Sequence, residues 1–320
     1  METTFIKTPS AELRITNSNG TLSVMVKGQA VSHGRQQKVL KTVEVHVGLE
    51  TLERLVALKG DWWLDELERR QDPSYIRSRL ETLMARFGSL KNARVLDIGS
   101  GAGSSSFMLL DLGAEHVQGV EPDDKLVGVA NMRAHDEGLA DRVTFTCIKD
   151  TSKLPFDNGR FDVVTFNAVI EHIPPANRAA IIKEAWRCLK PQGAMIFTET
   201  PNRAYFYDGH TTGLPFIPWL PLALAFPLAK ALSRHVPRGL TKDSYIAQGL
   251  VGGSYWQIKR ALPDAECMNA KGGDAAWKIK LRPGYKALGP VLKAFEWLVN
   301  IFGLPFNAFT PILDLVMKKK

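Results

Sequence analysis

The sequence predicts an α/β fold with a doubly wound, mostly parallel sheet, a β-rich and helical N-terminal extension and a C-terminal insertion. Three observations predict it. Between residues 93 and 200, short apolar runs of strand character alternate with segments of helical period, the pattern of βαβ units. The apolar run Val95–Ile98 leads directly into Gly99, Gly101 and Gly103, a turn in which backbone can approach a ligand closely. The chain has 320 residues, 45% of them hydrophobic and 23% charged. That is enough to bury a core without disulfide staples.

Residues 1–48 read as a β-rich extension. Leu13 and Ile15 alternate with polar neighbours, Asn19-Gly20 follows, and Leu22, Val24 and Val26 alternate again. Asn-Gly between alternating runs signals a hairpin, because both residues tolerate positive φ. A third strand is expected near Val43–Val47. Residues 49–90 read as a helical cap: Leu52, Leu55, Val56 and Leu58 recur at helical spacing, as do Ile76, Leu80, Leu83 and Met84. Asp72-Pro73 breaks the run, with Pro73 opening the second helix. Trp62 and Trp63 are expected to serve core or interface, and Arg77 to lie on the surface. Residues 91–202 form the expected core. Its strands are Arg94–Ile98, His116–Glu121, Val143–Lys149, Phe161–Asn167 and Ala194–Thr200, and its helices Ser104–Leu112, Lys125–Glu137 and Asn177–Leu189.

Residues 203–320 read as an acceptor-side insertion that completes the sheet. From Thr211 to Ala229 there is no charged residue, yet Pro215, Pro218, Pro221 and Pro227 interrupt the run. Such a segment suits a lid or a membrane-surface element, not a spanning helix. Residues 286–302 are expected to be an amphipathic helix and Ile312–Met317 a last strand. From Lys230 onward the chain carries 15 Lys/Arg against 6 Asp/Glu, and this segment accounts for the net charge of +8. An apolar segment beside cations suits contact with a lipid surface. Peripheral membrane contact is therefore expected through 213–229 and the basic C-terminus. A solvated basic face, a lid or an interface between copies accounts for the same pattern.

The chemistry concentrates at the glycine turn. The next strand ends at Glu121, 18 residues after Gly103, where a carboxylate can accept hydrogen bonds from ribose hydroxyls. A dinucleotide and a cationic nucleoside both fit such a turn. The spacing here is GxGxG, with the third glycine one residue short of the dinucleotide pattern. Asp97 before it repels pyrophosphate and suits a ligand bearing an ammonium group. Both features disfavour a nicotinamide cofactor.

Five ordered motifs then resemble the class I S-adenosylmethionine methyltransferases, especially the ubiquinone-biosynthesis-like group. They are Val95-Leu96-Asp97-Ile98-Gly99-Ser100-Gly101-Ala102-Gly103, then Gly119-Val120-Glu121-Pro122, then Asp150-Thr151 with Leu154-Pro155-Phe156. Phe161-Asp162-Val163-Val164 into Asn167 with Glu171-His172-Ile173, and Leu189-Lys190-Pro191-Gln192-Gly193-Ala194, complete the set. The resemblance implies a Rossmann-like methyltransferase sheet and S-adenosyl-L-methionine as cofactor. It places Asp97, Gly99, Ser100, Gly101 and Gly103 at the methionine part, with Asp97 on its amino group. Glu121, with Pro122, takes the ribose, Asp150 with Thr151 the adenine, and Asn167 the methyl sulfonium.

His172 is the candidate general base, since its ordinary pKa of about 6.5 suits proton transfer near neutrality. The rival role is shaping the loop. Tyr205, Tyr207 and His210 follow the fifth strand and are candidates for the acceptor side. The expected reaction is methylation, at oxygen, of a small-molecule, glycan or lipid-linked acceptor. The rivals are a nicotinamide-dependent oxidoreductase and a non-catalytic binding module on the same fold. Nucleic acid is disfavoured as acceptor: Asn167-Ala168-Val169-Ile170 is not an Asp/Asn-Pro-Pro-Tyr loop, and no basic run is interleaved with aromatics. Cys147, Cys188 and Cys267 form no CxxC pair, so no metal is expected; Cys147 reads as a small buried hydrophobe. Met1-Glu2-Thr3-Thr4 shows no basic-then-apolar pattern, so a cytoplasmic place, at the inner membrane surface, is expected. Oligomeric state is open.

Overall fold

A computed structural model describes residues 3–18, 21–249, 251–281 and 283–320. The chain forms two compact units, Met1–Ala85 with Ser89–Lys149, and Arg86–Gly88 with Asp150–Lys320. The division falls at the crossover after the third core strand and cuts across the segments read from sequence.

In the first unit, β1 (Thr3–Lys7), β2 (Ala11–Ser18), β3 (Thr21–Ser32) and β4 (Arg35–Val45) make an antiparallel sheet in chain order. Ser18 faces Thr21 across the β2–β3 pair; the expected turn residues Asn19 and Gly20 lie outside the described residues. β1 and the polar start of β4 (Arg35-Gln36-Gln37-Lys38) escape a hydrophobic-period reading, because both lie at sheet edges with little to bury. Leu13, Ile15, Leu22, Val24, Val26 and Val45 share one face, as the period of two requires. They bury against Leu52, Leu55 and Val56 of α1 (Leu49–Lys59) and Trp63, Leu64 and Leu67 of α2 (Trp63–Gln71). Trp63 is thus a core residue and Trp62 is exposed. After α2, Asp72 accepts the Ser74 N–H at 2.8 Å with Pro73 in the first turn, where a missing N–H costs nothing. α3 (Ser78–Phe87) follows, and Arg77 pairs with Glu81 at 2.7 Å on the surface.

The same unit continues as β5 (Arg94–Ile98), α4 (Ser104–Asp111), β6 (His116–Glu121), α5 (Asp124–Asp136) and β7 (Val143–Cys147). The three strands are parallel, in the order β5-β6-β7. Val129 of α5 and Ala102 of the glycine turn join the core beneath the N-terminal sheet. Cys147 is only partly buried, a correction to its expected burial: its side chain lies near the strand end, with Sγ 3.6 Å from the Pro122 carbonyl.

In the second unit, β8 (Phe161–Asn167), α6 (Arg178–Cys188) and β9 (Leu189–Pro201) make a further parallel βαβ unit. A short hairpin, β10 (Tyr207–Asp208) with β11 (Leu214–Pro215), follows. Then come α7 (Leu222–Leu232), α8 (Lys242–Ala247), α9 (Tyr255–Ala261), β12 (Glu266–Cys267), α10 (Asp274–Leu281), α11 (Gly289–Ile301) and β13 (Ile312–Lys318). β13 is the expected last strand, antiparallel to β9, with β12 antiparallel on its far side. The doubly wound Rossmann-like class is therefore the observed one: a mostly parallel α/β sheet closed by antiparallel strands. Among the described residues no helix is long and apolar enough to cross a membrane.

β13 carries the fully buried Asp314, which pairs with Lys278 of α10 at 2.5 Å. A buried ion pair is costly to break from one side, since the remaining charge loses its compensation. Lys278→Met is expected to lower the stability of the chain by about 3 kcal/mol or more. Urea denaturation measures this, and a loss within experimental error would show that the pair does not anchor β13.

Candidate active site

The first unit builds the glycine turn. Gly99, Gly101 and Gly103 adopt φ of 71°, 55° and 95°, values that favour glycine. At Gly103 a Cβ would also lie 2.8 Å from the Phe107 ring, whereas at Gly101 it would meet nothing within 4 Å. The outer side of the turn therefore faces open space. Gly99 and Ser100 donate their N–H groups to the Val120 carbonyl at 2.8 and 3.2 Å, which ties the turn to the end of β6. The Gly101 N–H donates to Glu121 Oε2 at 3.0 Å, and the Asp123 N–H to Glu121 Oε1 at 3.2 Å. Pro122 lies between, its carbonyl accepting from Lys149 at 2.7 Å. Burial pushes the Glu121 carboxyl above its usual range, against the pull of those two N–H groups.

The turn is braced from behind. Asp97 is fully buried, and its Oδ2 accepts from the hydroxyls of Ser105 and Ser106, each at 2.7 Å. The carboxylate that the sequence assigns to a ligand's amino group thus fixes the first turn of α4. Arg133, also buried, donates to the Ala102 carbonyl at 2.7 Å and to Ser104 Oγ at 3.0 Å, with its guanidinium over the Phe107 ring. Glu66 completes the brace. Burial works against its carboxylate, but Lys59 and Arg133 outweigh that and hold it far below the usual range. Arg133 and Glu66 were not found from sequence. Arg133 sits four residues after the apolar Val129 on α5, and an arginine on a buried helix face is a readable signal.

The second unit holds the other predicted residues. Asp150 is exposed, and its Oδ1 accepts from the Ser152 N–H and hydroxyl, which holds its carboxyl below the usual range. Thr151 lies beside it, half-buried. Asn167 ends β8 and accepts the Thr198 hydroxyl at 2.8 Å. The next turn carries His172, whose Nδ1 lies 2.8 Å from the Ala247 carbonyl. A carbonyl only accepts, so this contact puts the ring proton on Nδ1 and the lone pair on Nε2.

A buried arginine missed by sequence reading, Arg178, fixes that turn. It donates to the carbonyls of Ile173 (2.8 Å), Glu171 (3.4 Å), Gly252 (2.9 Å) and Val251, and to Gln257 Oε1 (3.2 Å). Burial pushes its pKa down to about 10 despite Glu171 nearby. Arg178 stands three, four and seven residues before Ile181, Ile182 and Ala185, on the apolar face of α6, where a cation is out of pattern. His210 belongs to the same neighbourhood. Its side chain reaches solvent, yet lost hydration pushes its pKa down; Asp208 pulls the other way and His172 adds to the depression. Asp208 is held by the N–H groups of His210, Thr211 and Thr212. Tyr207 is exposed on β10 and Tyr205 packs against Phe206 at 4.9 Å. Among the described residues no group of His, Cys, Asp and Glu could hold a metal.

A glycine-rich turn at the end of a strand of a mostly parallel α/β sheet defines the class, and comparison with known proteins narrows it. Residues 95–193 match the model of the methyltransferase domain family. The ubiquinone biosynthesis O-methyltransferase of Bordetella avium is 28% identical over 159 residues, half of this chain and 64% of that enzyme. The matched stretch thus spans under two-thirds of that relative. The ubiquinone biosynthesis O-methyltransferase of Coxiella burnetii is 32% identical over 169 residues, 51% of this chain and 68% of that one. Among solved structures, the arsenic(III) S-adenosylmethionine methyltransferase of Chlamydomonas reinhardtii is 27% identical and covers 35% of this chain and 40% of that one, with a TM-score of 0.32. The chain belongs to the class I S-adenosylmethionine-dependent methyltransferases.

The first unit fits that family's cofactor. Ser100 Oγ is buried and has no hydrogen-bond partner among the described residues, and the open side of Gly101 lies beside the Glu121 carboxylate. A ribose hydroxyl donates more strongly to an ionised carboxylate than to a neutral carboxyl. Two consequences follow from the raised Glu121 pKa. Affinity for S-adenosylhomocysteine should fall on acidification, with a midpoint above the ordinary glutamate value of about 4.3, and Glu121→Gln should weaken binding and remove that step. Folding carries the opposite sign. A carboxyl raised in the folded state favours the fold below its unfolded pKa, and that contribution is lost as pH rises through the folded value. The Tm difference between Glu121→Gln and the parent should therefore move in the variant's favour from about pH 4 to pH 7; a flat difference would contradict the assignment.

Proposed function

We propose that the chain methylates a hydroxyl group of a small-molecule or lipid-linked acceptor, with His172 as general base. The observation that carries this reading is the His172 Nδ1 contact to the Ala247 carbonyl, because it leaves the basic nitrogen as Nε2. The names of the relatives, O-methyltransferases of ubiquinone biosynthesis, support oxygen as the acceptor atom.

When bound, S-adenosylmethionine supplies a methyl group activated on positively charged sulfur. Each residue then has a task of its own. Glu121 is assigned to the ribose hydroxyls, and its bonds to the Gly101 and Asp123 N–H groups support it as an acceptor. Asp97 acts through α4 as a positioning residue, with Asp150, Thr151 and Asn167 assigned to the adenine and methyl ends by the family resemblance. His172 Nε2 takes the acceptor's hydroxyl proton as the oxygen gains a bond to the methyl carbon and that carbon's bond to sulfur breaks, so the ring passes from neutral to cationic. Glu171, which precedes it in sequence, is buried and accepts the Thr200 hydroxyl at 3.2 Å. Tyr205, Tyr207 and His210 are assigned to the acceptor. A depressed His210 stays neutral near pH 7 and does not compete with His172 for the proton.

Calorimetric titration with S-adenosylhomocysteine and, in parallel, with a nicotinamide dinucleotide tests the cofactor. Binding of the first alone is expected; binding of the second alone overturns the reading. Asp97→Ala and Glu121→Ala are expected to weaken that binding. His172→Ala should slow turnover on any accepted hydroxyl substrate by about 10²–10⁴-fold, the usual worth of a general base, with S-adenosylhomocysteine affinity unchanged. Full activity in that variant would retire the base assignment.

A further inference from the structure

The segment from Phe206 to Lys242 in the second unit carries more exposed apolar side chains than its own packing explains. The inner face of α7 is used: Ala229 packs with Val236, Tyr245 and Val251, and Leu222, Phe226, Leu240 and Ile246 close around them. The opposite face presents Leu224, Leu228 and Leu232, four residues apart and exposed, Leu232 by 62%. Ahead of the helix stands an aromatic row. Phe206 and Phe216 rings lie 6.1 Å apart, and Phe216 and Trp219 rings 5.4 Å apart. Phe216 and Trp219 are 55% and 56% exposed.

Phe216 adds a second cost. Its φ is 62°, the left-handed region that a bulky residue avoids. Strain of this kind persists where surrounding structure imposes it and gathers at functional positions. Here the strained backbone displays an aromatic ring to water. A residue that served only local packing would turn the ring inward or be a glycine.

Charge identifies the occupant. From Gly209 to Lys242 there is no Asp or Glu, while Lys230, Arg234, Arg238 and Lys242 fall within it. Lys230 is engaged with the Leu240 carbonyl at 3.1 Å. Arg234, Arg238 and Lys242 are exposed, directly after the exposed end of α7. Aromatic and leucine side chains flanked by cations, without acidic residues, complement a surface that is apolar within and anionic at its rim. The same unit repeats the pattern on α11, where Val291, Trp297, Leu298 and Ile301 are exposed beside Lys293. A protein partner of ordinary composition would ask for no such one-sided charge.

We propose that this surface seats the second unit on an anionic phospholipid bilayer, with Phe216, Trp219, Leu224, Leu228 and Leu232 entering the interface and Arg234, Arg238 and Lys242 meeting the head groups. This docking is independent of the methyl-transfer reading. It also accounts for the interrupted apolar run at 213–229, which is too broken to span and too exposed to be a lid.

The test is co-sedimentation of the full chain with phosphatidylcholine vesicles, with and without phosphatidylglycerol. The protein should pellet with the phosphatidylglycerol vesicles and should be released by salt, as screening requires. Arg234→Gln/Arg238→Gln/Lys242→Gln should weaken binding on the order of tenfold or more, and Phe216→Ser/Trp219→Ser should lower it further. Both variants should keep the parent's circular dichroism and S-adenosylhomocysteine affinity. The charge variant alters only exposed side chains, so it keeps the test valid if the aromatic variant unfolds. Three results would overturn the proposal. The parent chain could stay in the supernatant with anionic vesicles, or the charge variant could pellet as the parent does. Sedimentation equilibrium could instead show a dimer that Trp219→Ser dissociates, making a second copy the occupant.

Discussion

The structure depends first on holding irregular backbone still from behind, so that its other side can face a ligand. A turn with three positive-φ glycines has few side chains of its own to lock it, and its N–H groups are tied to the Val120 carbonyl and the Glu121 carboxylate. The carbonyl and side-chain groups must therefore be satisfied elsewhere. In the first unit Arg133 takes the Ala102 carbonyl and the Ser104 hydroxyl, and Asp97 takes the hydroxyls of Ser105 and Ser106. Glu66 supplies the negative charge that keeps the arginine's burial tolerable, and Glu137 adds to it.

The second unit applies the same rule at its own turn. Arg178 is as buried as Arg133, and it is satisfied mainly by backbone carbonyls. A guanidinium has five donors in a fixed fork, so one side chain can hold the ends of two loops at once. Here it ties Glu171–Ile173 to Val251–Gly252. Gly249 then has room only for hydrogen, since a Cβ there would lie 2.9 Å from Glu171 and 3.1 Å from His172. Packing on one side and a carbonyl on the other set the histidine ring in one orientation and one tautomer. The cost is desolvation of a cation, visible in the lowered Arg178 pKa, and the return is a base whose reactive nitrogen is defined before any substrate arrives.

The long insertion after β9 follows a different rule. Its interior contacts are small local clusters around Ala229 and Val299, and much of its apolar surface faces outward. Strain at Phe216, exposed leucines on α7 and a stretch without acidic residues coincide there. Elsewhere exposed large apolar side chains such as Phe5, Leu40 and Trp62 stand apart in the sequence, and that coincidence distinguishes an exposed working surface from incomplete packing.

The sequence by itself determined the periodic parts. β5, β6 and β8 lie where alternation and apolar runs put them, and α4, α5 and α6 begin or end within a residue or so of expectation, because burial on a regular element leaves a regular trace. The glycine turn and Glu121 were legible for a related reason: positive φ and a strand-end carboxylate are local demands that only a few residue types meet. Tertiary structure decided what is not local. β1 and the start of β4 are held by strand pairing rather than by burial. Asp97 reads as a ligand contact because its residue type suits an ammonium group, and the fold adds a structural task, since it accepts from two hydroxyls eight and nine residues on in the chain. Arg133 and Arg178 act on carbonyls 31 and over 70 residues distant in the chain. A carbonyl has no residue identity, so no sequence pattern records which one a buried arginine will find.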